Sequence, residues 1–267
     1  MNFYMIPTPG LLEHNVLCMQ YRYQLWLAQW FRHGNLSYGY KQAKRITNTR
    51  WVNVILDNGA FEGTLVPTDQ LVDMICDLKP GVAVLPDLPG EYWMASWEVS
   101  MKALKQLEQR RYKGKVMICP QGRSKEEVCM FIDHCIRALD PKKTILGLGL
   151  CYKHWTEDKT DEGARVRMLN DIPPVICHNW RIHMLGGRLR YGSGTCQDLT
   201  NFIAVTGLDS FKPTQAAYGL QYLCAADARM EQSNVQGSKL LGCVWEYAAQ
   251  YYINIFSGTQ KASWRDS

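Results

Sequence analysis

At 267 residues the chain suffices for one large domain or two small ones, and its apolar content of 46% is that of a globular protein with a substantial core. The apolar runs fall well short of the roughly 18 residues that a membrane span needs, and the start Met1-Asn-Phe-Tyr-Met-Ile-Pro7 lacks a basic stretch followed by an apolar one, so the expectation is a cytoplasmic protein without membrane attachment. A net charge of +5 permits a polyanionic partner without requiring one, and the basic residues bunch at Lys41, Lys44, Arg45 and Arg50 and again at Arg181, Arg188 and Arg190, as solvated surface also does.

Residues 3–7 read as the first strand. Residues 51–56 form the next and run into Asp57-Asn58-Gly59, after which a helix over 68–78 sets Leu71, Met74, Ile75 and Leu78 on one face. A strand at 82–86 leads to Asp87 and a long helix over 91–110. A strand at 115–119 leads to Pro120-Gln121-Gly122 and a helix over 124–139, which opens with Ser124 and Glu127 at capping-box spacing. The strand at 144–148 closes on Gly147-Leu148-Gly149. Residues 181–185 form another strand, then a helix over 195–206 ends at Gly207, and a last strand spans 208–211. Residues 213–256 read as mainly helical.

Alternation of strand and helix implies parallel strands. With no break in composition, the pattern favours an α/β, (β/α)8 TIM-like barrel forming a single domain over 1–267, with a helical C-terminal segment and the eighth strand unplaced. An open doubly wound sheet is the alternative, but Gly147-Leu148-Gly149 lacks the third glycine of a dinucleotide loop. The ten cysteines lie apart, none at Cys-x-x-Cys spacing, and read as reduced core thiols; the histidines at 14, 33, 134, 154, 178 and 183 share no ligand spacing. The expectation is no metal and no cofactor.

In a barrel the chemistry lies where the strands end. There the chain carries Asp57, Asn58, Asp87, Gln121, the Gly147–Gly149 turn, His183-Met184-Leu185-Gly186-Gly187 and Asp209. An Asp or Asn before Gly is also ordinary turn chemistry, so each has a dull reading alone. Together, carboxylates without a metal suit proton transfer and attack at an anomeric carbon. An Asp beside a Gln and free backbone N–H groups complements a flat heterocycle with donors next to a carbonyl, which is the pairing edge of guanine.

These ordered motifs resemble the guanine transglycosylase family, barrel enzymes that exchange guanine in nucleic acid for a 7-deazaguanine. Asp57-Asn-Gly-Ala-Phe-Glu62 is similar to the family's Asp-Ser-Gly-Gly-Phe-Gln, and Pro120-Gln-Gly122 to its Val-Gln-Gly. Leu146-Gly-Leu-Gly149 is similar to its glycine-rich base-binding turn, and His183-Met-Leu-Gly-Gly187 to its Leu-Met-Gly-Val-Gly. Gly207-Leu-Asp-Ser-Phe-Lys-Pro-Thr214 resembles the nucleophile strand, with Asp209 four residues before Pro213. The resemblance spans about residues 50–215. Departures include Asn58 for Ser, Ala60 for Gly, Glu62 for Gln and Arg123 for a second Gly. The family's tRNA-modifying members carry a Cys-x-Cys-x-x-Cys…His zinc subdomain; here Cys224 and Cys243 stand alone and no His follows 183.

The zinc-free pattern looks like the branch that acts on DNA, in bacterial modification islands and phages. The resemblance implies a pentosyltransferase with Asp209 as nucleophile on C1′ and Asp57 as proton shuttle. It places Asn58, Asp87, Gln121, Gly147, Leu148, Gly149 and Met184 around the base, and puts Arg188, Arg190 and Lys212 on the rim as backbone contacts. The implied partners are DNA, single-stranded or with its guanine nucleotide extruded, a 7-deazaguanine base, and an accessory duplex-opening protein. A zinc-free tRNA transglycosylase and a non-catalytic nucleic-acid-binding subunit are the alternatives.

Overall fold

The computed structural model describes residues 2–5, 23–31, 38–49, 52–60, 63, 65–156, 164–173, 179–185 and 205–210. Its strands are β1 (Asn2–Met5), β2 (Tyr23–Leu27), β3 (Asn53–Asp57), β4 (Val82–Val84), β5 (Lys115–Ile118), β6 (Thr144–Leu148), β7 (Arg181–Met184) and β8 (Val205–Ser210). Each pairs in parallel with the next in chain order, and β1 also pairs with β8, so the order closes on itself. Helices follow β2 to β6: α1 (Tyr38–Thr47), α2 (Thr68–Leu78), α3 (Trp93–Gln109), α4 (Lys125–Ala138) and, after a 3-10 segment at Leu150–Trp155, α5 (Ala164–Asp171).

The eighth strand left open by the sequence is β2, whose register with β3 runs from Tyr23↔Asn53 to Leu27↔Asp57. The expected helix over 195–206 is corrected at its end: Val205, Thr206 and Gly207 belong to β8, where Gly207 pairs with Asn2 on one side and His183 on the other. The remainder of that helix, the helical reading of 213–256, and Ile6, Pro7, Trp51 and Phe211 lie outside the described residues.

Strand side chains alternate, and the alternation divides the core in two. Leu25, Leu27, Ile55, Val82, Val84, Met117, Cys119 and Ile145 pack on one another inside the sheet. Their neighbours Trp26, Val54, Leu56, Ala83, Val116, Ile118, Leu146 and Leu148 face outward and pack in one cluster with Leu71, Ile75, Ala103, Leu107, Phe131 and Ile132 of the helices. On α2 the expected face of Leu71, Met74, Ile75 and Leu78 is buried, with Val72 added. Each such side chain contributes about 1.5–3 kcal/mol of burial.

The helix starts set the loops above the strands. Ser124 caps α4 by accepting from the Glu127 N–H at 3.3 Å. The Glu127 carboxylate does not return to the cap as a full capping box would. It accepts instead from the N–H groups of Arg123 at 3.0 Å and Trp93 at 3.3 Å. One carboxylate therefore satisfies the first N–H of α3 and the N–H just before the cap of α4. Elsewhere on the surface Lys44, from the first basic bunch, pairs with Asp77, which also accepts from the Tyr40 hydroxyl at 2.7 Å. Of the described cysteines, Cys119, Cys135 and Cys151 are buried thiols and Cys76 and Cys129 half-buried ones.

Candidate functional site

Three neighbouring strands end in polar side chains that meet. β3 delivers Asp57 and Asn58, the loop after β4 delivers Asp87, and the loop after β5 delivers Gln121. Asn58, Asp87 and Gln121 are all buried. The Asn58 amide donates to Asp87 Oδ1 at 2.6 Å and to the Leu85 carbonyl at 2.7 Å. The Gln121 amide donates to Asp87 Oδ2. Asn58 Oδ1 accepts from the Ala60 N–H at 2.7 Å, an Asx turn that fixes which end of the amide faces the carboxylate. The turn passes through Gly59 at φ 75°, a left-handed conformation that a glycine adopts without strain.

Burial pushes the Asp87 carboxyl up to about 6, against the Asn58 and Gln121 amides and a backbone hydrogen bond that favour its ionised form. At neutral pH it is mostly a carboxylate. An ionised carboxylate has about four lone-pair sites, and the two amides do not exhaust them.

Asp57 ends β3, in register with Leu27. It lies two residues beyond Ile55 of the interior cluster and is half-buried at the rim, with its Oδ1 accepting from the Gly59 N–H at 3.4 Å. Its position suits a group that exchanges protons with a bound molecule.

The glycine turn after β6 divides into unlike positions. A methyl group added at Gly147 would lie 2.8 Å from the Met117 sulfur and 2.9 Å from the Cys119 sulfur, so Gly147 is closely packed against interior side chains. At Gly149 an added methyl group would meet Leu185 at 3.8 Å, an ordinary contact, so this position has room. Leu148 turns its side chain to the helix layer, and its carbonyl accepts from the Leu185 N–H at 3.0 Å. The contact expected of the Gly147–Gly149 turn with a base is one of its backbone, which the outward facing of the Leu148 side chain leaves open.

The expected place of Met184 is corrected. It is wholly buried in the outward cluster with Ile182, so it does not face the interior where a base would lie. His183, between them, takes the opposite side and is buried in the interior, its Cα paired with Gly147 of β6 and Gly207 of β8. Asp209 lies in β8, in register with Tyr4 of β1. Arg188, Arg190 and Lys212 lie outside the described residues.

The structure adds supporting groups that the motifs did not announce. The Ser100 hydroxyl donates to the Pro86 carbonyl at 2.6 Å, and Ser96 Oγ accepts from the Leu88 N–H at 3.1 Å. His154 Nε2 lies 2.9 Å from the Gly122 carbonyl. Arg123 pairs with Glu91 at 3.0 Å on the surface. The one sequence signal for the serines is their spacing: Ser96, Ser100, Ala103 and Leu107 form the buried stripe of α3, where a hydroxyl is out of place unless it has a partner. Among the described residues no group of His, Cys, Asp and Glu has the arrangement of a metal site.

No protein-family model and no curated protein sequence matches the chain. Solved structures do. Oxaloacetate acetylhydrolase in complex with 3,3-difluorooxalacetate superposes with a TM-score of 0.53 at 10% identity, covering 99% of this chain and 94% of that one. The 2,3-dimethylmalate lyase of the PEP mutase/isocitrate lyase superfamily superposes with a TM-score of 0.51 at 10% identity, covering 96% and 93%. At such identity the likeness is one of fold, and it establishes a parallel-stranded α/β architecture of the TIM-barrel kind.

Proposed function

We propose that this chain is a (β/α)8 enzyme, a DNA-guanine transglycosylase that replaces guanine with a 7-deazaguanine through a covalent aspartyl–glycosyl intermediate. The observation that carries the reading is the buried Asp87 carboxylate held between the Asn58 and Gln121 amides at adjoining strand ends. Such an assembly orients an acceptor for the N1–H and N2–H donors of guanine, and the amide of Gln121 or a neighbouring backbone N–H supplies a donor for O6. The motif order from Asp57 to Asp209 adds to it, as does the absence from the sequence of the zinc ligands of the tRNA-acting branch.

The chemistry balances without a cofactor. The Asp209 carboxylate attacks C1′, the C1′–N9 bond breaks, and guanine leaves with the electron pair and takes a proton from Asp57. The incoming 7-deazaguanine gives its N9 proton to Asp57 and attacks C1′, and the Asp209 carboxylate departs. Two inversions give net retention, and no phosphodiester bond is cut. The target nucleotide has to be extruded or single-stranded to reach a strand-end pocket. Arg188, Arg190 and Lys212 are the proposed backbone contacts, and they make binding salt-sensitive.

The test is covalent trapping. Wild type and Asp209→Ala are incubated with single-stranded DNA, duplex DNA or tRNA and quenched in denaturant. An adduct on DNA that is lost in the variant supports the reading. An adduct on tRNA alone makes the chain a zinc-free tRNA enzyme. No adduct on any substrate, with labelled 7-deazaguanine also left unincorporated, overturns the assignment in favour of a binding subunit.

A further inference from the structure

The loop that carries Asp87 is held from behind by one helix. Leu85 N–H donates to the Met117 carbonyl at 2.8 Å, and the Leu85 carbonyl accepts from Asn58, so the strand side of the loop is secured by β5 and the β3 end. On the helix side, Ser100 takes the Pro86 carbonyl and Ser96 takes the Leu88 N–H, one on each side of Asp87. Both serines have zero exposure. They stand one helical turn apart on α3, on the stripe that continues apolar as Ala103 and Leu107. A buried hydroxyl in a helix interior is unfavourable unless it is hydrogen-bonded, and here both are bonded to the same loop. Their spacing of four matches the helix repeat, so both reach the loop from one rigid element.

We propose that Ser96 and Ser100 are positioning residues that hold Asp87 between Asn58 and Gln121, so that α3 determines the geometry of the base-recognising carboxylate. The consequence for base recognition rests on the transglycosylase reading; the positioning does not. The groups facing Asp87 are the amides of Asn58 from the β3 end and Gln121 from the β5 end, with one backbone hydrogen bond, and no charged side chain contributes to its raised pKa. With the clamp removed the loop relaxes outward, water reaches the carboxylate, and the burial that dominates its titration weakens.

The experiment titrates selectively ¹³C-labelled Asp87 by NMR in the full chain. It compares wild type, Ser100→Ala, the Ser96→Ala/Ser100→Ala pair, and Ala103→Gly, which weakens the same helix and removes no hydrogen bond to the loop. The expected result is a midpoint near 6 in wild type and Ala103→Gly. In the paired variant it falls by about one unit toward the ordinary carboxylate value, with a smaller fall in Ser100→Ala alone. A midpoint unchanged or raised in the paired variant, or one that falls equally in Ala103→Gly, overturns the proposal. Calorimetry with free guanine and 7-deazaguanine separates the two readings. Binding by wild type that weakens about tenfold or more in the paired variant, with Ala103→Gly unaffected, supports the clamp as part of base recognition. If neither base binds wild type while the titration behaves as expected, the transglycosylase reading fails and the clamp stands.

Discussion

Asp87→Asn removes a buried charge while keeping shape, and its effect on stability has a calculable pH dependence. Burial raises the carboxyl from the usual value of 3.8 to about 6 in the folded chain. Between these values the folded state binds more protons than the unfolded state, so stability falls as pH rises. The contribution is fully present below the unfolded value and is lost as pH climbs through the folded one. The whole span corresponds to about 3 kcal/mol, of which about 1.4 kcal/mol is lost between about pH 5 and pH 8.

Asparagine cannot ionise, so this component vanishes from the variant. Its new NH₂ group also faces a donor. Asn58 is held in orientation by Leu85 and Ala60, so Gln121 is the amide that turns over. That rearrangement is independent of pH and drops out of the difference. Urea unfolding of both proteins at about pH 5 and pH 8 should therefore show the variant gaining about 1.4 kcal/mol relative to wild type across the interval. A double difference within about 0.4 kcal/mol of zero would refute the reasoning, because it would mean that Asp87 titrates alike in the folded and unfolded chain. Under the transglycosylase reading the same variant loses base exchange even where it is the more stable protein, which is the pattern expected when a strained polar site serves a ligand.

The two glycines after β6 should respond oppositely to alanine. Gly147→Ala places a methyl group against Met117 and Cys119 and should cost about 1–3 kcal/mol by urea midpoint, whereas Gly149→Ala, which meets only Leu185 at 3.8 Å, should stay close to wild type. Glu127→Ala strips the acceptor from the Arg123 and Trp93 N–H groups and should cost about 1–2 kcal/mol, with faster amide exchange at both of those positions and not along the middle of α4. Unchanged exchange at Trp93 would show that the carboxylate does not join the two helix starts.

Much of the strand framework was legible because it rests on local signals. Short β-branched runs bounded by Gly, Pro and Asp marked β3 to β7, and of the residues just past them Asn58, Asp87 and Gln121 come together as a polar group. β2 was not legible. Tyr23-Gln-Leu-Trp-Leu27 carries a glutamine in an otherwise apolar run, and no turn signal separates it from the tyrosine- and methionine-containing stretch before it. In the fold Gln24 is buried and accepts from the Trp26 indole N–H at 2.9 Å, so a polar residue that weakens the pattern is satisfied locally.

The facing of Met184 was not legible for a different reason. A strand between an interior and a helix layer is buried on both faces, and its composition then carries no record of which face looks inward. The serines of α3 escaped notice because a hydroxyl in a helix reads as weakly unfavourable until its partner in a distant loop is known.

The amino-acid sequence by itself therefore determined the alternation of strand and helix, the polar strand ends and their order, since each depends on neighbours a few residues away. Only the tertiary structure decided the facing of His183 and Met184, the place of β2 between β1 and β3, and the capture of Asp87 by Asn58, Gln121, Ser96 and Ser100. Those outcomes depend on register and on hydrogen bonds between segments far apart in the chain, where burial makes an unpaired polar group costly and so selects one pairing among many.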